Sequence, residues 1–342
     1  MDKQKNKRLP AQWESQEFVQ LVFPHKDTDW NRYLDEAIDT FVNIAVAIQK
    51  FQKCLIVAKN LTYVKSLFKN KNNLTFVTID SDDTWSRDFG GITIEENNKQ
   101  IVLNFSFNAW GKKFPYKKDD KITTQLKLKG LLKQYSHKTI PFVLEGGAID
   151  SDGEGVVMTT TKCMMEKNRN PRLTQNTIDK KLKEYLGAQK ILWLNSGELV
   201  GDDTDSHIDT LARFCPNNII VYQSCDDKTD EHYEVLKNME KELHNFTNIN
   251  GLNYKLVALP WISAKYDGND RLPATYVNFL IINGAVLVPT YKDKNDEVVL
   301  DIFKTIFPKR DVLGIDCTTL IRQHGSLHCV TMQYPKIKDK KV

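Results

Sequence analysis

Four stretches of this chain hold side chains that could do chemistry together. They are Trp85-Ser86-Arg87-Asp88-Phe89-Gly90-Gly91, Leu144-Glu145-Gly146-Gly147, Asp203-Thr204-Asp205-Ser206-His207-Ile208-Asp209 and Gly325-Ser326-Leu327-His328-Cys329-Val330-Thr331. A thiol, an imidazole and several carboxylates make a nucleophilic site aimed at a cationic electrophile. Cys329 attacks only as a thiolate, which needs positive charge nearby, and a cationic substrate brings that charge with it. His207 and Asp209 stand two apart, so on an extended segment both point the same way. The histidine could then move protons beside a carboxylate that grips the substrate. Gly146 and Gly147 allow close backbone approach, to a strand or to a ligand. The flat ring of Trp85 suits a planar cation. Each residue also has a plainer reading. Cys329 could be buried packing, His207 and Asp209 a structural pair at a turn, Arg87 and Asp88 a surface ion pair, Glu145 a turn residue and Trp85 core. Only together do they point to a catalytic site.

The intervening elements must bring these residues to one place. Residues 31–51 carry Tyr33, Leu34, Ala37, Ile38, Phe41, Ile44, Ala45 and Ile48 at helical spacing, which predicts an amphipathic helix. Cys54–Ala58 and Leu74–Ile79 read as buried strands joined by a short helix at about 62–69, and Ile92–Ile94 with Gln100–Phe107 as a hairpin. A unit then recurs of helix, short apolar strand and polar or glycine-bearing turn. Helices at about 122–135, 175–186, 230–245 and 296–306 precede strands at 141–144, 191–194, 255–259 and 312–315. With the strand at 74, five strands start roughly 50 to 67 residues apart, a repeat in structure without sequence identity. Five such α/β modules closing on one another form a ring whose centre receives the strand exits. Four of the five exits carry Asp88, Glu145, His207 with Asp209, and Cys329. A doubly wound open sheet is the competing α/β architecture.

With 342 residues, 41% hydrophobic and 27% charged, the composition is that of a globular protein able to bury a large core. No low-complexity or Pro/Gly/Ser-rich linker divides it, so one domain is expected over 1–342, with an ordered core of about 9–335. Met1–Arg8 is charged with no apolar run behind it, and no apolar stretch is long enough to span a bilayer. The six cysteines show no C-x-x-C pair and no disulfide spacing, so a cytoplasmic protein with reduced thiols is expected. The net charge of +4 comes from lysines spread over helices and the C-terminal tail, a solvated surface rather than a nucleic-acid face. The acidic residues cluster instead, as Asp80, Asp82, Asp83 and Asp88 and as Asp202, Asp203, Asp205 and Asp209. Facing one cleft, they would draw in a small cation. Asp150–Gly155 resembles a calcium loop, but its glycine is misplaced and its twelfth position is Thr161, so a hairpin turn is expected. His324 and His328 are four apart, yet Gly325 between them and the strand-like Val330-Thr331-Met332 argue against a metal site.

Taken in order, Arg8-Leu9-Pro10-Ala11-Gln12-Trp13-Glu14, Pro24-His25, Trp85 to Gly91, Phe107-Asn108-Ala109-Trp110-Gly111, Leu144 to Gly147, His207 to Phe214, Tyr276-Val277-Asn278-Phe279, His328 to Thr331 and Pro335 resemble the agmatine deiminase family of the guanidine-modifying (pentein) superfamily. The resemblance covers nearly the whole chain. It implies a five-bladed α/β propeller with the site on the pseudo-fivefold axis, which matches the ring inferred above. It also implies a hydrolase that converts agmatine to N-carbamoylputrescine and ammonia, a step of polyamine biosynthesis toward putrescine. Cys329 would attack the guanidinium carbon to form a covalent amidino-thioether, with Asp88 and Asp209 holding the guanidinium nitrogens. His207 would protonate the departing ammonia and then activate water, and Glu145 would orient both histidine and substrate. Trp85 and Gly325 would line the substrate, with Asp203 near its terminal amine. The implied partner is the small molecule agmatine; no metal or organic cofactor is implied, and a homodimer is compatible with the chain. Two departures stand out. Gln323-His324-Gly325-Ser326 replaces a glycine-rich run, and Ser206 replaces the glycine usual before the histidine, so loop shape and the fit of the substrate's far end are open. Two rivals remain. One is deimination of peptidyl arginine or another small guanidine by a related enzyme, which predicts a wide cleft and usually an export signal. The other is a non-catalytic propeller acting as a binding module, against which the intact residue set argues.

Overall fold

The computed structural model describes residues 7–337; the charged leader up to residue 6 and Lys338, Lys340 and Lys341 lie outside them. Five sheets share one construction: an entering strand, an antiparallel neighbour, a crossover and a parallel leaving strand. Ile92–Glu96 pairs antiparallel with Lys99–Ser106, which pairs parallel with Ser136–Val143. Ile149–Ser151, Val156–Thr160 and Lys190–Leu194 repeat the pattern. So do Ala212–Cys215, Ile219–Gln223 and Lys255–Leu259, and then Leu280–Ile282, Ala285–Thr290 and Asp311–Asp316. In the fifth sheet the antiparallel strand comes from the far end of the chain. Thr331–Pro335 pairs with Gln16–Val22, followed in parallel by Lys53–Ala58 and Leu74–Thr78. The strands fall into separate sheets and none closes on itself, so a single doubly wound open sheet is excluded and the fold is a mixed α/β one. Among the described residues no helix is long and apolar enough to cross a membrane.

The crossover helices include Leu34–Gln49, Gln175–Leu186, Tyr233–Leu243 and Asp296–Ile306. Each buries one stripe, as Ile178, Leu182 and Leu186 do at four-residue intervals. Several ends differ from expectation for local reasons. The helix expected to 135 stops at Leu128, with Gly130 in the left-handed region just beyond it. The helix expected from 31 opens with a 3-10 segment, Asp29–Tyr33. The strand expected from 141 begins at Ser136, and its register shifts opposite Phe105 and Ser106 close to Pro141, which has no N–H to offer the ladder. The hairpin expected near 92–107 turns on Asn97 and Asn98, both at positive φ. Asp150–Gly155 is the hairpin turn expected, Asp152 Oδ1 accepting from the Glu154 and Val156 N–H groups.

Each leaving strand runs into a loop that then enters the next sheet. These loops carry Asp88, Glu145, His207 with Asp209, and Cys329, after Leu74–Thr78, Ser136–Val143, Lys190–Leu194 and Asp311–Asp316 respectively. The exit after Lys255–Leu259, empty of candidates in the sequence, carries Asn278. Next to it, Phe279 is fully buried, its ring centroid 4.6 Å from that of Phe303 and 4.3 Å from the Arg213 guanidinium carbon. Phe279→Ala is expected to lower the unfolding free energy by about 3–5 kcal/mol, measured from the urea midpoint.

Candidate active site

The strand exits meet at a cavity of about 150 Å³. Cys329, Asp88, Trp85 and Trp110 line it together with Gly325, Phe114, Thr204, Gln323 and His324, and Asp29, Asp83 and Asp203 add carboxylates. Gly325 lies flat against the indole of Trp85: a Cβ there would stand 2.2 Å from Trp85 Cζ3. Glu145, His207 and Asp209 are buried more deeply still. A Cβ on Gly147 would lie 2.7 Å from His207 Nδ1, 2.8 Å from Asp88 Oδ1 and 3.1 Å from Asp209 Oδ2, so three of the residues expected to act together surround one glycine.

Asp88 is fixed through both oxygens. Oδ1 accepts from the Gly147 N–H at 2.9 Å and Oδ2 from the Trp110 indole N–H at 3.0 Å. Trp110 is delivered by an uncommon backbone: Ala109, Trp110, Gly111 and Lys112 have φ of 51°, 52°, 89° and 70°. This single left-handed turn is closed by the Lys112 N–H donating to the Asn108 carbonyl at 2.7 Å, and such backbone costs about 1–2 kcal/mol per non-glycine residue. Cys329 Sγ lies 3.4 Å from Asn278 Oδ1, which also accepts from the His328 N–H at 2.8 Å and the Cys329 N–H at 3.3 Å. Glu145 receives Arg169 Nε on both oxygens, at 2.9 and 3.1 Å, in a wholly buried ion pair. Asp209 accepts through Oδ2 from His328 Nδ1 at 2.7 Å, while its Oδ1 has no partner. His207 is unpartnered at both ring nitrogens, with Nδ1 3.7 Å from Asp88 Oδ1.

The electrostatics are those of a buried, acid-rich site. Burial, and next the Glu145 carboxylate, push Asp88 up to about 7. Burial and then Asp88 hold Asp209 well above the ordinary carboxylate range. Burial, followed by Asp209 and Asp88, raises the Cys329 thiol well above its usual value. Burial, then the charges of Arg169 and Lys113, keep His207 neutral by pushing its pKa well down. A cation between Asp88 and Asp209 would reverse these shifts for the carboxylates and the thiol.

The sequence signature of the Porphyromonas-type peptidyl-arginine deiminase family matches residues 8–335. A curated Listeria monocytogenes protein provisionally named an agmatine deiminase is 30% identical, with 96% of each chain covered. The chain belongs to the agmatine deiminase family. A structure of C. jejuni agmatine deiminase with substrate bound is 40% identical, covers 96% of each chain and has a TM-score of 0.91. A Porphyromonas gingivalis structure provisionally named an arginine deiminase is 47% identical, covers 96% of this chain and 98% of that one, and has a TM-score of 0.93. A dimethylarginine dimethylaminohydrolase and an amidinotransferase from Microseira wollei, each 10% identical with TM-scores of 0.51 and 0.54, share the fold.

All the site residues expected from the sequence of this family member converge, but several relations differ. His207 and Asp209 are not on an extended segment: His207 precedes, and Asp209 lies within, the 3-10 turn Ile208–Thr210, and both side chains still meet at Gly147. Of the two acidic runs only Asp83, Asp88 and Asp203 reach the cavity. Asp80 pairs with Lys59 and Lys118, Asp202 accepts from the Thr204 and Ser206 N–H groups, and Asp205 binds Arg169 and Lys113. Asp29 lines the cavity without having been singled out, as do the contacts of Trp110, and the roles of Asn278, Arg169 and His328 were not legible either. Both departures from the family pattern occupy the left-handed region, Ser206 at φ 67° and His324 at φ 63°, where glycine is the unstrained residue. Gly147→Ala is expected to cut turnover at least about hundredfold by displacing His207 and Asp88, with an intact circular-dichroism spectrum and melt separating this from misfolding.

Proposed function

We propose that this chain is an agmatine deiminase, hydrolysing agmatine and water to N-carbamoylputrescine and ammonia. The observation that carries the reading is a single cavity with Cys329 and Asp88 on one wall, more acids elsewhere on its lining, and no lysine or arginine lining it among the described residues. Agmatine is a dication with a planar head and an amine tail, and such a lining complements both ends. The guanidinium lies between Asp88 and Asp209 Oδ1, an oxygen otherwise without a partner. Trp85 covers its face. Asp203, together with Asp29 and Asp83, meets the amine.

The chemistry follows from the charge balance. A bound guanidinium lowers the thiol pKa, and the Cys329 proton passes to His207, whose ring nitrogens have no other partner. The thiolate forms a bond to the guanidinium carbon, a C–N bond breaks, and the leaving ammonia takes the proton from His207. Water then attacks the amidino-thioether, giving a proton back to His207, and the C–S bond breaks to release the carbamoyl product and restore the thiol. Glu145, anchored by Arg169, stands beside the imidazole, a carboxylate oxygen within 4.8 Å of a ring nitrogen. In this reading the five sheets are the blades of a five-bladed propeller with the cavity on its axis.

The similarity to a protein provisionally named an arginine deiminase favours free arginine as the second reading. Arginine adds a carboxylate, which the acidic lining repels. In a panel of agmatine, arginine and an arginine peptide, ammonia release is expected to favour agmatine, and preference for arginine would overturn the assignment. Cys329→Ala is expected to abolish turnover while retaining ligand binding; a wild-type chain that binds agmatine but releases no ammonia would point to a binding module instead. With turnover stopped by Cys329→Ser, agmatine affinity is expected to rise with pH between about 6 and 8, because Asp88 must lose its proton to face the guanidinium. Calorimetry in buffers of different ionisation heat should register that proton release.

A further inference from the structure

One imidazole beside the nucleophile has no part in the chemistry above. His328 is fully buried, its Nδ1 2.7 Å from Asp209 Oδ2 and its Nε2 2.8 Å from Gln12 Nε2. The orientation of the Gln12 amide is fixed by its other neighbours. Arg213 Nη2 at 2.7 Å and the Ile281 N–H at 2.9 Å can only donate, so both face Gln12 Oε1. The amide NH₂ is therefore the group that meets His328, and His328 Nε2 must accept from it. A neutral ring that accepts at Nε2 carries its proton on Nδ1. Burial, and next the charges of Arg213 and Arg87, keep the ring neutral. Asp209 thus receives one directed N–H on Oδ2, and Oδ1 is left free.

We propose that Gln12 and His328 are positioning residues: they fix the Nδ1–H tautomer, which locks Asp209 with Oδ1 presented to the guanidinium and favours its ionised form. This rests on the agmatine deiminase reading and deepens it. The charged and titratable groups facing Asp209 are Asp88, Asp202 and Cys329 on the acidic side and Arg87, Arg213, His328 and His207 on the other. Removing the His328 N–H takes away a donor to the ionised carboxylate, so the pKa of Asp209 rises further and productive binding retreats to higher pH.

The test uses the full chain with His328→Leu, His328→Asn and Gln12→Met, each checked for folding by thermal melt. His328→Asn keeps a side-chain donor in reach of Asp209, and His328→Leu keeps none. His328→Leu is expected to lower agmatine kcat/KM about ten- to hundredfold at neutral pH, the effect of one hydrogen bond to a charged group. It should also move the acid limb of the pH profile upward, and in a Cys329→Ser background weaken agmatine binding in parallel. His328→Asn is expected to recover most of both losses, and Gln12→Met to shift the acid limb the same way by less. A folded His328→Leu with an unmoved acid limb, or His328→Asn no better than His328→Leu, overturns the proposal. Should His328→Leu not fold, the acid limb of Gln12→Met decides: moved upward it supports the proposal, unmoved it overturns it. Wild-type turnover of arginine instead of agmatine overturns the substrate assignment alone, because the same variants and pH limbs are then read with arginine.

Discussion

Three acidic groups share one enclosed space with too little positive charge to balance them. Asp88, Asp209 and Cys329 each resist ionisation, first because water is excluded and then because of a neighbouring carboxylate: Glu145 for Asp88, Asp88 for Asp209, and both Asp209 and Asp88 for Cys329. Glu145 holds Arg169 on both oxygens. Arg87 and Arg213 act on the cluster from a distance and offset it only in part. In a low-dielectric interior such an arrangement is tolerable when protons neutralise it, and it becomes favourable when a cation does. The arrangement is thus short of positive charge, a deficit that a flat cation with several N–H donors would complement in charge and in hydrogen bonds alike.

Holding that deficit in place falls to the strand exits and the contacts that brace them. Each leaving strand ends in a loop, and in each loop the site residues stand two to five residues ahead of the entering strand of the next sheet. The side chains are then locked one by one: Asp88 by Gly147 and Trp110, Cys329 by Asn278, Asp209 by His328. The left-handed turn at Ala109–Lys112 is the place where local backbone preference gives way so that an indole can reach a carboxylate. Such strain persists because the surrounding contacts over-determine it.

Much of the chemistry was legible before any coordinates, since reactive residue types stood beside turn residues at the ends of apolar runs. Cys329, His207, Glu145, Asp88 and Asp209 all carried that mark. Their supports did not. Arg169 sits in a polar turn that resembles any other, and its meaning lies in Glu145, 24 residues away in sequence. His328 read as half of an unconvincing metal pair because its partners, Gln12 and Asp209, are distant along the chain. The acidic runs were visible, yet composition could not tell Asp83 and Asp203, which face the cavity, from Asp80 and Asp205, which face lysine or arginine. The alternation of helix and strand was readable too, while element ends moved by several residues where a proline interrupted a ladder or a glycine ended a helix. Ser206 and His324 looked like changes in loop chemistry and prove to be changes in backbone cost.

The pairing of Thr331–Pro335 with Gln16–Val22 has a consequence for how activity arises during synthesis. The reactive sulfur lies two residues ahead of that strand, and Gln12 lies four residues ahead of its partner. A chain emerging from the ribosome thus carries its acids and His207 long before it carries Cys329 or the imidazole of His328 that orients Asp209. Under the proposed function, chemistry would begin only when the tail returns to the head, and a truncated product would lack both the thiol and that support.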